Sequence, residues 1–527
     1  MNKAEWKRVA RIQDLKEGIP ISVTVDETDI FLVRLGEKIY AVAGECPHYG
    51  APLCEGLLSG KELTCPWHHA RFDITTGKLK AAPALDGLRR FQSKVEKGDV
   101  YVGQPAAASP LGKSGTAGGD SRTVAILGAG AAGNAAAETL RCEGFSGEII
   151  LITAENRVPY DRPTLSKDFL SGEAPAEWLP LRDKEFYEGL DIELRMGRRV
   201  EHLRPEDHTL IFADGDELRF DQLLLATGGT PRNLSVPGGD LPNVFLLRTM
   251  DDAESIRKAA EKAEKAVILG AGFIGLEAAA SLRERGLKVE LAARDDIPMQ
   301  KIFGDRIGKW FQQMHEKKGV RFHLGVTPDW IEKKGGGLRV YLSDKSSIET
   351  DLLICGMGID PAVDYLKGTN LIHNGAIPVD GCLQTKIPGI FAAGDIAVIP
   401  DRRTGEMQRI EHWVVAERQG QHAARAMLGS QVPYGEIPFF WTRQYGHSIK
   451  YIGYASSFDQ VAFRGDLEDE SFFAGYFQEG KLEAAASLEG GNEFIALGQL
   501  LEAGIPPSLE VFEDPESSFI ETLNRLV

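Results

Sequence analysis

Two short loops near the start of the chain contain residues of the types that bind metals. In the first loop, Cys46 is followed two residues later by His48. After sixteen intervening residues, Cys65 is followed three residues later by His68. Thiolate sulfur and neutral imidazole nitrogen are ligands that proteins use for zinc and for iron. These four side chains are therefore the candidate ligands of one metal centre.

Two kinds of centre fit this ligand set. A zinc ion accepts two thiolates and two imidazoles, although zinc fingers usually pair cysteine with cysteine and histidine with histidine. The spacing Cys-x-His and then Cys-x-x-His, in the contexts CPHYGAPL and CPWHHARFD, resembles instead that of Rieske [2Fe–2S] domains. There, two thiolates bind one iron and two imidazoles bind the other. His69 is an alternative ligand to His68, but the spacing favours His68.

The details of these loops resemble the ferredoxin type of Rieske domain. Respiratory-chain Rieske proteins carry an additional cysteine in each loop, and the two are joined as a disulfide. Here the second loop has Trp67 at the corresponding position, so Cys54 has no partner. Cys54 is therefore expected to be a small packed thiol.

Two glycine-rich turns further along the chain are typical of dinucleotide-binding sites. Each follows an apolar strand and opens an Ala-rich helix, in TVAILGAGAAGNAAAETLR and AVILGAGFIGLEAAASLRERG. Glycine lets the backbone approach a pyrophosphate, and Glu155 at the end of the next strand would accept from a ribose hydroxyl. A turn that only packs helix against strand is the alternative. The glycines are Gly128, Gly130 and Gly133 in the first turn and Gly270, Gly272 and Gly275 in the second.

The order of these turns resembles that of the two-dinucleotide-domain flavoproteins. The motif ATGG at 226–229 follows the strand FDQLLLA, and the motif AGD at 393–395 follows the strand GIFA. The resemblance implies that FAD binds at the first glycine-rich turn and NAD(P)H at the second. It also implies that Thr227, Gly228 and Asp395 contact the FAD.

The segment PYDRPTLSK indicates which branch of that family the chain resembles. Many members use a redox-active cysteine pair beside the flavin, and this segment has none, so disulfide-reductase chemistry is disfavoured. The segment resembles the ferredoxin-reductase branch, in which the residues matching Arg162 and Lys167 lie against FAD. Glu277 matches the acid that pairs with that lysine near the nicotinamide, which makes the two a candidate catalytic pair. The alternative is that Lys167 and Glu277 are solvated surface charges.

The strand in VELAARDDIPMQK bears on the choice of nicotinamide. NAD sites usually end this strand with an acid, whereas NADP sites substitute a small residue followed by arginine. Ala293 and Arg294 fit the second pattern, which favours NADPH. Asp295 and Asp296 weaken that preference, because an acid close to a 2′-phosphate would repel it. An ordinary surface charge is the alternative role of Arg294.

The later part of the chain resembles the Rieske-bearing apoptosis-inducing-factor-like proteins. The segments that carry the resemblance are EHWVVAERQGQHAARAML, PFFWTRQYGHSIKYIGYA and FRGDLEDESFFAGYF. In that family the segments matching His412, Trp413 and Trp441 approach the isoalloxazine of FAD, although packing at a domain interface would also explain them. The resemblance implies a Rieske ferredoxin and its reductase fused in one chain.

These observations predict a multi-domain fold. It comprises an all-β Rieske domain, two α/β dinucleotide-binding domains of the Rossmann type and a small α+β C-terminal domain. The stretch QPAAASPLGKSGTAGGDSR, rich in Ala, Gly, Ser and Pro, is expected to be a flexible linker. The predicted boundaries are 1–104 for the Rieske domain, 105–121 for the linker, 122–247 and 375–435 for the two parts of the FAD domain, 248–374 for the NAD(P)H domain and 436–527 for the C-terminal domain.

Composition limits the partners and the compartment. The chain has 527 residues and a formal charge of −17, which argues against nucleic-acid and anionic-membrane partners because both are polyanions. No signal-peptide pattern and no run of about 18 apolar residues occurs. The six scattered cysteines do not resemble a secreted disulfide framework, so a cytoplasmic location is expected.

The predicted function is that of an NAD(P)H-dependent oxidoreductase. NAD(P)H delivers two electrons as a hydride to FAD, and the Rieske cluster takes single electrons and passes them to an unidentified acceptor, for which an oxygenase is a candidate. The linker is expected to let the cluster reach the flavin and could let it swing to that acceptor. The alternative is an NAD(P)H-responsive redox-sensing or signalling flavoprotein. The acid-rich C-terminal domain is a candidate surface for a homodimer or another partner, and a solvated edge is its alternative role.

Overall fold

The N-terminal domain contains two antiparallel sheets. Its strands are β1 (Lys7–Arg11), β2 (Ile21–Val25), β3 (Thr28–Leu35), β4 (Lys38–Ala43), β5 (Leu57–Ser59), β6 (Glu62–Thr64), β7 (Arg71–Asp73), β8 (Leu79–Ala81), β9 (Arg90–Glu96) and β10 (Asp99–Pro105). The larger sheet has the order β1-β10-β9-β4-β3-β2, and the smaller sheet the order β5-β6-β7-β8. The candidate ligand loops connect β4 to β5 and β6 to β7. Because β5 and β6 are antiparallel, both loops emerge at the same end of the smaller sheet.

The first α/β domain begins at the first glycine-rich turn. Its elements up to residue 231 are β11 (Thr123–Leu127), α1 (Ala131–Cys142), β12 (Glu148–Ile152), α2 (Asp168–Ser171), α3 (Lys184–Gly189), β13 (Ile192–Arg195), β14 (Val200–Arg204), β15 (Thr209–Phe212), β16 (Glu217–Arg219), β17 (Gln222–Leu225) and β18 (Gly229–Pro231). Strands β13, β12, β11 and β17 are parallel neighbours. The turn between β11 and α1 therefore lies at the carboxyl edge of a parallel sheet, where α/β proteins bind ligands.

The second α/β domain repeats this arrangement. Its elements are β19 (Val244–Leu246), α4 (Met250–Ala260), β20 (Lys265–Leu269), α5 (Phe273–Glu284), β21 (Lys288–Ala293), α6 (Gln300–Lys317), β22 (Arg321–Leu324), β23 (Pro328–Lys334), β24 (Gly337–Leu342), β25 (Ser347–Thr350) and β26 (Leu352–Cys355). The parallel sheet has the order β19-β26-β20-β21-β22. Strand β19 precedes the predicted boundary at 248 but pairs with β26, so the structure places the start of this domain a few residues earlier.

The chain then returns to the first α/β domain. The returning elements are β27 (Ile359–Pro361), β28 (Ile377–Pro378), β29 (Ile390–Ala392), β30 (Ala397–Pro400), β31 (Met407–Gln408) and α7 (Trp413–Met427). Strand β29 adds a fifth parallel strand beside β17. Helix α7 packs closely on α1, since a Cβ at Gly420 would lie 2.0 Å from the carbonyl oxygen of Ala132. This contact fixes the middle of α7 beside the first glycine-rich turn.

The C-terminal domain is an antiparallel sheet followed by three helices. Its elements are β32 (Phe439–Gln444), β33 (His447–Gly453), β34 (Gln460–Asp466), β35 (Ser471–Gln478), β36 (Lys481–Leu488), α8 (Gly491–Glu502), α9 (Leu509–Glu513) and α10 (Phe519–Asn524). The strand order is β32-β33-β36-β35-β34. Together the four folding units confirm the predicted fold class.

These descriptions come from a computed structural model that describes residues 6–106, 119–488 and 490–526. Residues 107–118 of the predicted linker lie outside the described residues. Within the described ranges, no helix is long and apolar enough to cross a membrane.

Candidate redox centre and cofactor cavity

The two cysteine–histidine loops fold into the same turn. The amide of Cys46 donates to the carbonyl of Ala51 at 2.8 Å, and the amide of Cys65 donates to the carbonyl of Ala70 at 2.9 Å. Both cysteines are buried, and the two thiols lie close enough to shift each other's pKa, raising that of Cys46 and lowering that of Cys65. The repeated turn therefore brings the two sulfur atoms together.

The imidazoles form a second like pair. Nδ1 of His48 lies 3.1 Å from Nδ1 of His68. Burial lowers the pKa of His48 to about 4, so its ring is neutral at pH 7, as metal binding requires. His69 is buried elsewhere and stacks on Phe439, with ring centroids 4.1 Å apart. Of the two adjacent histidines, the structure brings His68 to His48.

Two like pairs fit a two-iron cluster better than a single ion. A tetrahedral zinc site needs all four donors within about 2.0–2.3 Å of one point. Across the residues that the structure describes, no group of three or more His, Cys, Asp or Glu side chains could hold one metal ion. A Rieske cluster takes two thiolates on one iron and two imidazoles on the other. Thiol beside thiol and imidazole beside imidazole is the arrangement that such a cluster needs.

A cavity of about 620 Å³ connects the two glycine-rich turns. Its walls come from both α/β domains and from the first strand of the C-terminal domain. A cleft at the carboxyl ends of parallel strands is the usual place for a dinucleotide. The predicted residues that line it are Gly128, Gly130, Glu155, Arg162, Lys167, Thr227, Gly228, Gly272, Glu277, Asp395, His412, Trp413 and Trp441.

The glycines of the first turn have two different functions. A Cβ at Gly128 would lie 2.1 Å from the carbonyl oxygen of Ala226, and one at Gly133 would lie 1.8 Å from that of Gly128. Close backbone packing therefore requires glycine at both positions. A Cβ at Gly130 would meet no atom within 4 Å. Gly130 therefore faces open space and leaves room for a pyrophosphate.

The second turn has the same geometry. A Cβ at Gly270 would lie 2.4 Å from the carbonyl oxygen of Gly356, and one at Gly275 would lie 2.0 Å from that of Gly270. Gly272 again has no atom within 4 Å of its Cβ position. The residues that pack inside the turns, and so do not line the cavity, are Gly133, Gly270 and Gly275.

The acidic residues of the cavity wall are held by neighbouring side chains. Glu155 accepts from Arg162 at 2.8 Å through one oxygen and from the hydroxyl of Tyr160 at 2.6 Å through the other. Asp395 forms an ion pair with Arg248 at 2.8 Å. These contacts fix the carboxylates at the wall, where the hydroxyls of a dinucleotide would meet them.

Lys167 and Glu277 form a buried ion pair rather than separate surface charges. Nζ of Lys167 lies 2.8 Å from Oε2 of Glu277, a residue that is 3% exposed. Ser166 donates to the same oxygen at 2.5 Å, and Thr442 donates to the other oxygen at 2.7 Å. Since these partners come from the first α/β domain and the C-terminal domain, Glu277 is a point at which three domains meet.

One aromatic side chain separates the cavity from the candidate metal centre. Trp441 lines the cavity, and its ring centroid lies 4.1 Å from that of His68. Beside it, His412 stacks on Phe440 at 4.2 Å, and burial lowers the pKa of His412 to about 4. Trp441 is thus the shared boundary of the two sites.

Comparison with known families matches this division of the chain. Residues 122–420 match the pyridine nucleotide-disulphide oxidoreductase family, residues 5–92 the Rieske [2Fe-2S] domain and residues 439–523 the reductase C-terminal domain. The chain belongs to the pyridine nucleotide-disulphide oxidoreductase family. A Rieske domain precedes that family's domains here, and a reductase C-terminal domain follows them.

Relatives of this oxidoreductase cover most of its length. Human apoptosis-inducing factor 3 is 37% identical over 510 residues, which are 94% of this chain and 84% of that protein. The 3-phenylpropionate/cinnamic acid dioxygenase ferredoxin–NAD(+) reductase component of Photorhabdus laumondii is 35% identical over 382 residues, which are 72% of this chain and 96% of that protein. The solved ferredoxin reductase of Rhodopseudomonas palustris has a TM-score of 0.73 and 33% identity, covering 76% of this chain and 100% of that chain. The oxidoreductase is therefore an NAD(P)H-dependent enzyme of the ferredoxin-reductase type that carries a Rieske domain.

Among the described residues, no pair of cysteines suited to disulfide chemistry lies beside the cavity of this oxidoreductase. All six cysteines are free. Cys355 lines the cavity, and burial raises its pKa to about 12, so its thiol stays protonated at neutral pH. A single protonated thiol does not form an internal disulfide or act as a nucleophile. Electrons therefore leave the cavity of this family member by a route other than a cysteine pair.

Arg294 lies at the surface and does not line the cavity. Its side chain is 75% exposed, and its Nε lies 3.9 Å from the carboxylate of Asp295. Lys301 lies 3.5 Å from the same carboxylate. Asp295 thus offsets part of the positive charge that the sequence pattern offers to a 2′-phosphate.

Sequence reasoning missed the residues that join the parts of the oxidoreductase. Ser166 and Thr442 complete the contacts of the buried carboxylate, Arg248 holds Asp395, and Arg418 donates to the N-terminal domain. Each lies at least 111 residues from its partner, so no local spacing identifies them. The only nearby signal was the position of Ser166 next to the predicted lysine in PYDRPTLSK.

Proposed function

We propose that this chain carries electrons from NAD(P)H to an external protein by way of FAD and a Rieske cluster in its own N-terminal domain. When bound, FAD accepts a hydride from NAD(P)H, and the [2Fe–2S] cluster takes up electrons one at a time. The observation that carries the proposal is the position of Trp441. It borders the dinucleotide cavity and contacts His68.

The N-terminal loops hold the cluster in this proposal. The thiolates of Cys46 and Cys65 hold one iron, and the imidazoles of His48 and His68 hold the other. Neutral imidazole ligands raise the reduction potential above that of an all-thiolate cluster. The imidazoles of His48 and His68 face Trp441, so they are the ligands that would lie nearer the cavity.

The two glycine-rich turns hold the dinucleotides, FAD at the first and NAD(P)H at the second. The N-termini of α1 and α5 attract the two pyrophosphates, and Gly130 and Gly272 allow the backbone to approach them. Lys167 lies against the flavin, and Glu277 positions its ammonium group. Asp395 and Thr227 would also contact the FAD, and His412, Trp413 and Trp441 line the part of the same cavity where they would hold its ring system.

The acceptor that we propose is a protein of an oxygenase system. One relative is named as the ferredoxin–NAD(+) reductase component of a dioxygenase, and a domain resembling a Rieske ferredoxin is built into this chain. Because its six cysteines are all free, we place the protein in a reducing cytoplasm. The C-terminal domain is the surface through which we expect a homodimer, which sedimentation at micromolar concentration would detect.

Redox sensing is the second candidate function, and the 37% sequence identity with human apoptosis-inducing factor 3 favours it. A sensor would form a slowly reoxidised complex with the reduced nucleotide and change its oligomeric state. An electron-transfer enzyme would instead reduce a one-electron acceptor many times per second. Turnover with cytochrome c as a probe acceptor distinguishes the two.

The test of the proposed function is an anaerobic titration with NADPH and, separately, with NADH. Flavin absorbance and the rhombic EPR signal of a Rieske centre are recorded on the same samples. We expect the flavin to bleach and the EPR signal to grow with it. Bleaching without that signal in iron-loaded protein would exclude the cluster from the pathway and leave the sensing function.

Two glycine substitutions in the first turn should separate binding from folding. Gly130→Ala is expected to leave the unfolding midpoint of the apoprotein unchanged but to weaken FAD binding at least tenfold, because the new methyl group occupies the pyrophosphate space. Gly133→Ala should lower both the unfolding midpoint and the affinity for FAD, because its Cβ would lie 1.8 Å from a carbonyl oxygen. Urea unfolding and FAD titration measure the two effects. If the two substitutions change stability and FAD affinity equally, Gly130 does not serve the pyrophosphate and the assignment of separate functions to the two glycines is wrong.

Arg294 is proposed to bind the 2′-phosphate of NADPH. Arg294→Ala should lower kcat/KM for NADPH by about fivefold to tenfold, since an exposed hydrogen bond to a charged group contributes about 1 kcal/mol. NADH use should change less than twofold. Asp295→Asn should act in the opposite direction on NADPH, because it removes the neighbouring negative charge. Steady-state kinetics with both nucleotides check this, and equal changes for NADPH and NADH would refute the role.

A further inference from the structure

Buried cations of the reductase hold the N-terminal domain. Arg418 on α7, 7% exposed, donates to the carbonyls of His69 at 2.7 Å and Ala82 at 3.2 Å. Lys450 on β33, 6% exposed, donates to the carbonyl of Pro66 at 2.8 Å. Burying a charged group is costly unless it is hydrogen-bonded. These three hydrogen bonds to backbone carbonyls exist only while the N-terminal domain is docked.

An ion-pair network crosses the same boundary. Arg71 of the N-terminal domain contacts Glu436 and lies 3.2 Å from Glu502, both of which belong to the C-terminal domain. Glu62 of its own domain lies 3.5 Å away. Arg418 lies 3.3 Å from Glu436, so the network continues into α7. One arginine from the N-terminal domain thus lies among carboxylates that would otherwise repel one another.

Further contacts join the N-terminal domain to the C-terminal domain and to the first α/β domain. Leu57 of the N-terminal domain is part of the hydrophobic core of the C-terminal domain, and the ring of His69 stacks on Phe439. At the first α/β domain, Asp86 pairs with Arg182 at 2.8 Å. A transient encounter surface is small and wet, whereas this boundary shares a hydrophobic core and buried charges. It has the character of a permanent interface.

We propose that the N-terminal domain stays docked on this surface throughout turnover and that the surface accepts no other partner. The proposal rests on the proposed function. The imidazole pair occupies the space against Trp441, so a separate ferredoxin has no access to that side chain. An external acceptor therefore takes its electrons from the outer face of the docked domain. This differs from the swinging motion that the composition of the linker suggested.

The test is to cut the chain between the domains. A protease recognition sequence is placed within residues 107–118, and the protein is cleaved after FAD and the cluster have been loaded. If docking is permanent, the two pieces co-elute on gel filtration. The rate of cluster reduction by NADPH should then stay within twofold during dilution from about 10 μM to 0.1 μM, although the cut removes the roughly millimolar effective concentration of the tether. Separated pieces, or a rate that falls in proportion to concentration, would overturn the proposal.

A charge reversal at the interface provides the second measurement. In cut protein at about 1 μM, Arg71→Glu is expected to separate the pieces and to slow cluster reduction at least tenfold, because it adds a fourth carboxylate to the network. Arg90→Glu makes the same change at an exposed arginine of the same domain and should behave like the cut wild type. Equal behaviour of the two variants would contradict the assigned role of Arg71.

The two proposals fail in different ways. If the cluster is not reduced in the uncut protein, the proposed function is wrong, and co-elution of the cut pieces still decides the docking. If the cluster is reduced in the uncut protein but not after cleavage and dilution, the function stands and permanent docking is wrong. If Arg71→Glu does not fold, the cut wild type decides by itself.

Discussion

Replacement of His68 by alanine is expected to abolish the rhombic EPR signal and to lower turnover with a one-electron protein acceptor at least a hundredfold. Loss of a residue that only supports a metal ligand costs about tenfold to a hundredfold, so loss of a ligand itself costs more. Reduction of FAD by NADPH should stay within about twofold of the wild-type rate, because His68 lies beyond Trp441 from the cavity. Stopped-flow absorbance and EPR on the same preparation measure the three quantities.

The neighbouring histidine supplies the matched control. His69 stacks on Phe439 and does not approach His48, so His69→Ala should retain the EPR signal. A variant at His69 that loses the cluster, beside one at His68 that keeps it, would show that the ligand assignment is wrong. Loss of the flavin signal in His68→Ala would show instead that the two sites fold as one unit.

Replacement of Glu277 by alanine is expected to destabilise the protein by about 3–5 kcal/mol and to slow hydride transfer by about a hundredfold. It leaves the buried ammonium of Lys167 without its carboxylate, and breaking a buried ion pair from one side costs about that much. Hydride transfer slows because a misplacement of about 1 Å at a reacting centre can cost about a hundredfold. Urea unfolding and single-turnover reduction by NADPH measure the two effects.

Two further variants identify the cause of each effect. Glu277→Gln keeps one oxygen that accepts from Ser166 or Thr442 and presents an amide N–H, a donor, to the other hydroxyl. It removes the charge but fills the same space, so it should lose less stability than alanine. The double change Lys167→Met with Glu277→Leu should recover stability, because it removes both charges, but it should not recover hydride transfer. As a surface control, Glu188→Ala breaks an exposed pair with Lys184 and should cost no more than about 0.5 kcal/mol. A stable, fully active Glu277→Ala protein would contradict the central role of this carboxylate.

The parts of the protein that the sequence predicts well depend on local patterns. An apolar strand, glycines at fixed spacing and a helix lie within about 25 residues, so the turns at Gly128 and Gly270 could be recognised and placed at the correct ends of two parallel sheets. The same holds for the loops at Cys46 and Cys65, whose ligands lie two or three residues apart. In each case the backbone geometry is determined by residues that are close in sequence.

The parts that the sequence does not predict depend on contacts between distant segments. The pairing of Glu277 with Thr442 joins two domains across 165 residues, and that of Arg418 with His69 spans 349. Neither has a spacing rule, because it is the packing of whole domains that brings these residues together. For Arg294 the local pattern was present, but its side chain is exposed beside an acid. Linker composition suggested a mobile Rieske domain and gave no indication of the surface that holds it.

The contact between Arg71 and Glu502 has a consequence for how the protein is made. The two residues are 431 positions apart. At about 5–20 residues per second, the ribosome produces Glu502 roughly 20–90 s after Arg71. During that interval the N-terminal domain can fold while its ligand loops are still uncovered, so iron and sulfide can be delivered to the four donors. Once the last domain has emerged, docking places Trp441 against the two imidazoles. We therefore expect the cluster to be inserted most easily while the chain is still being synthesised.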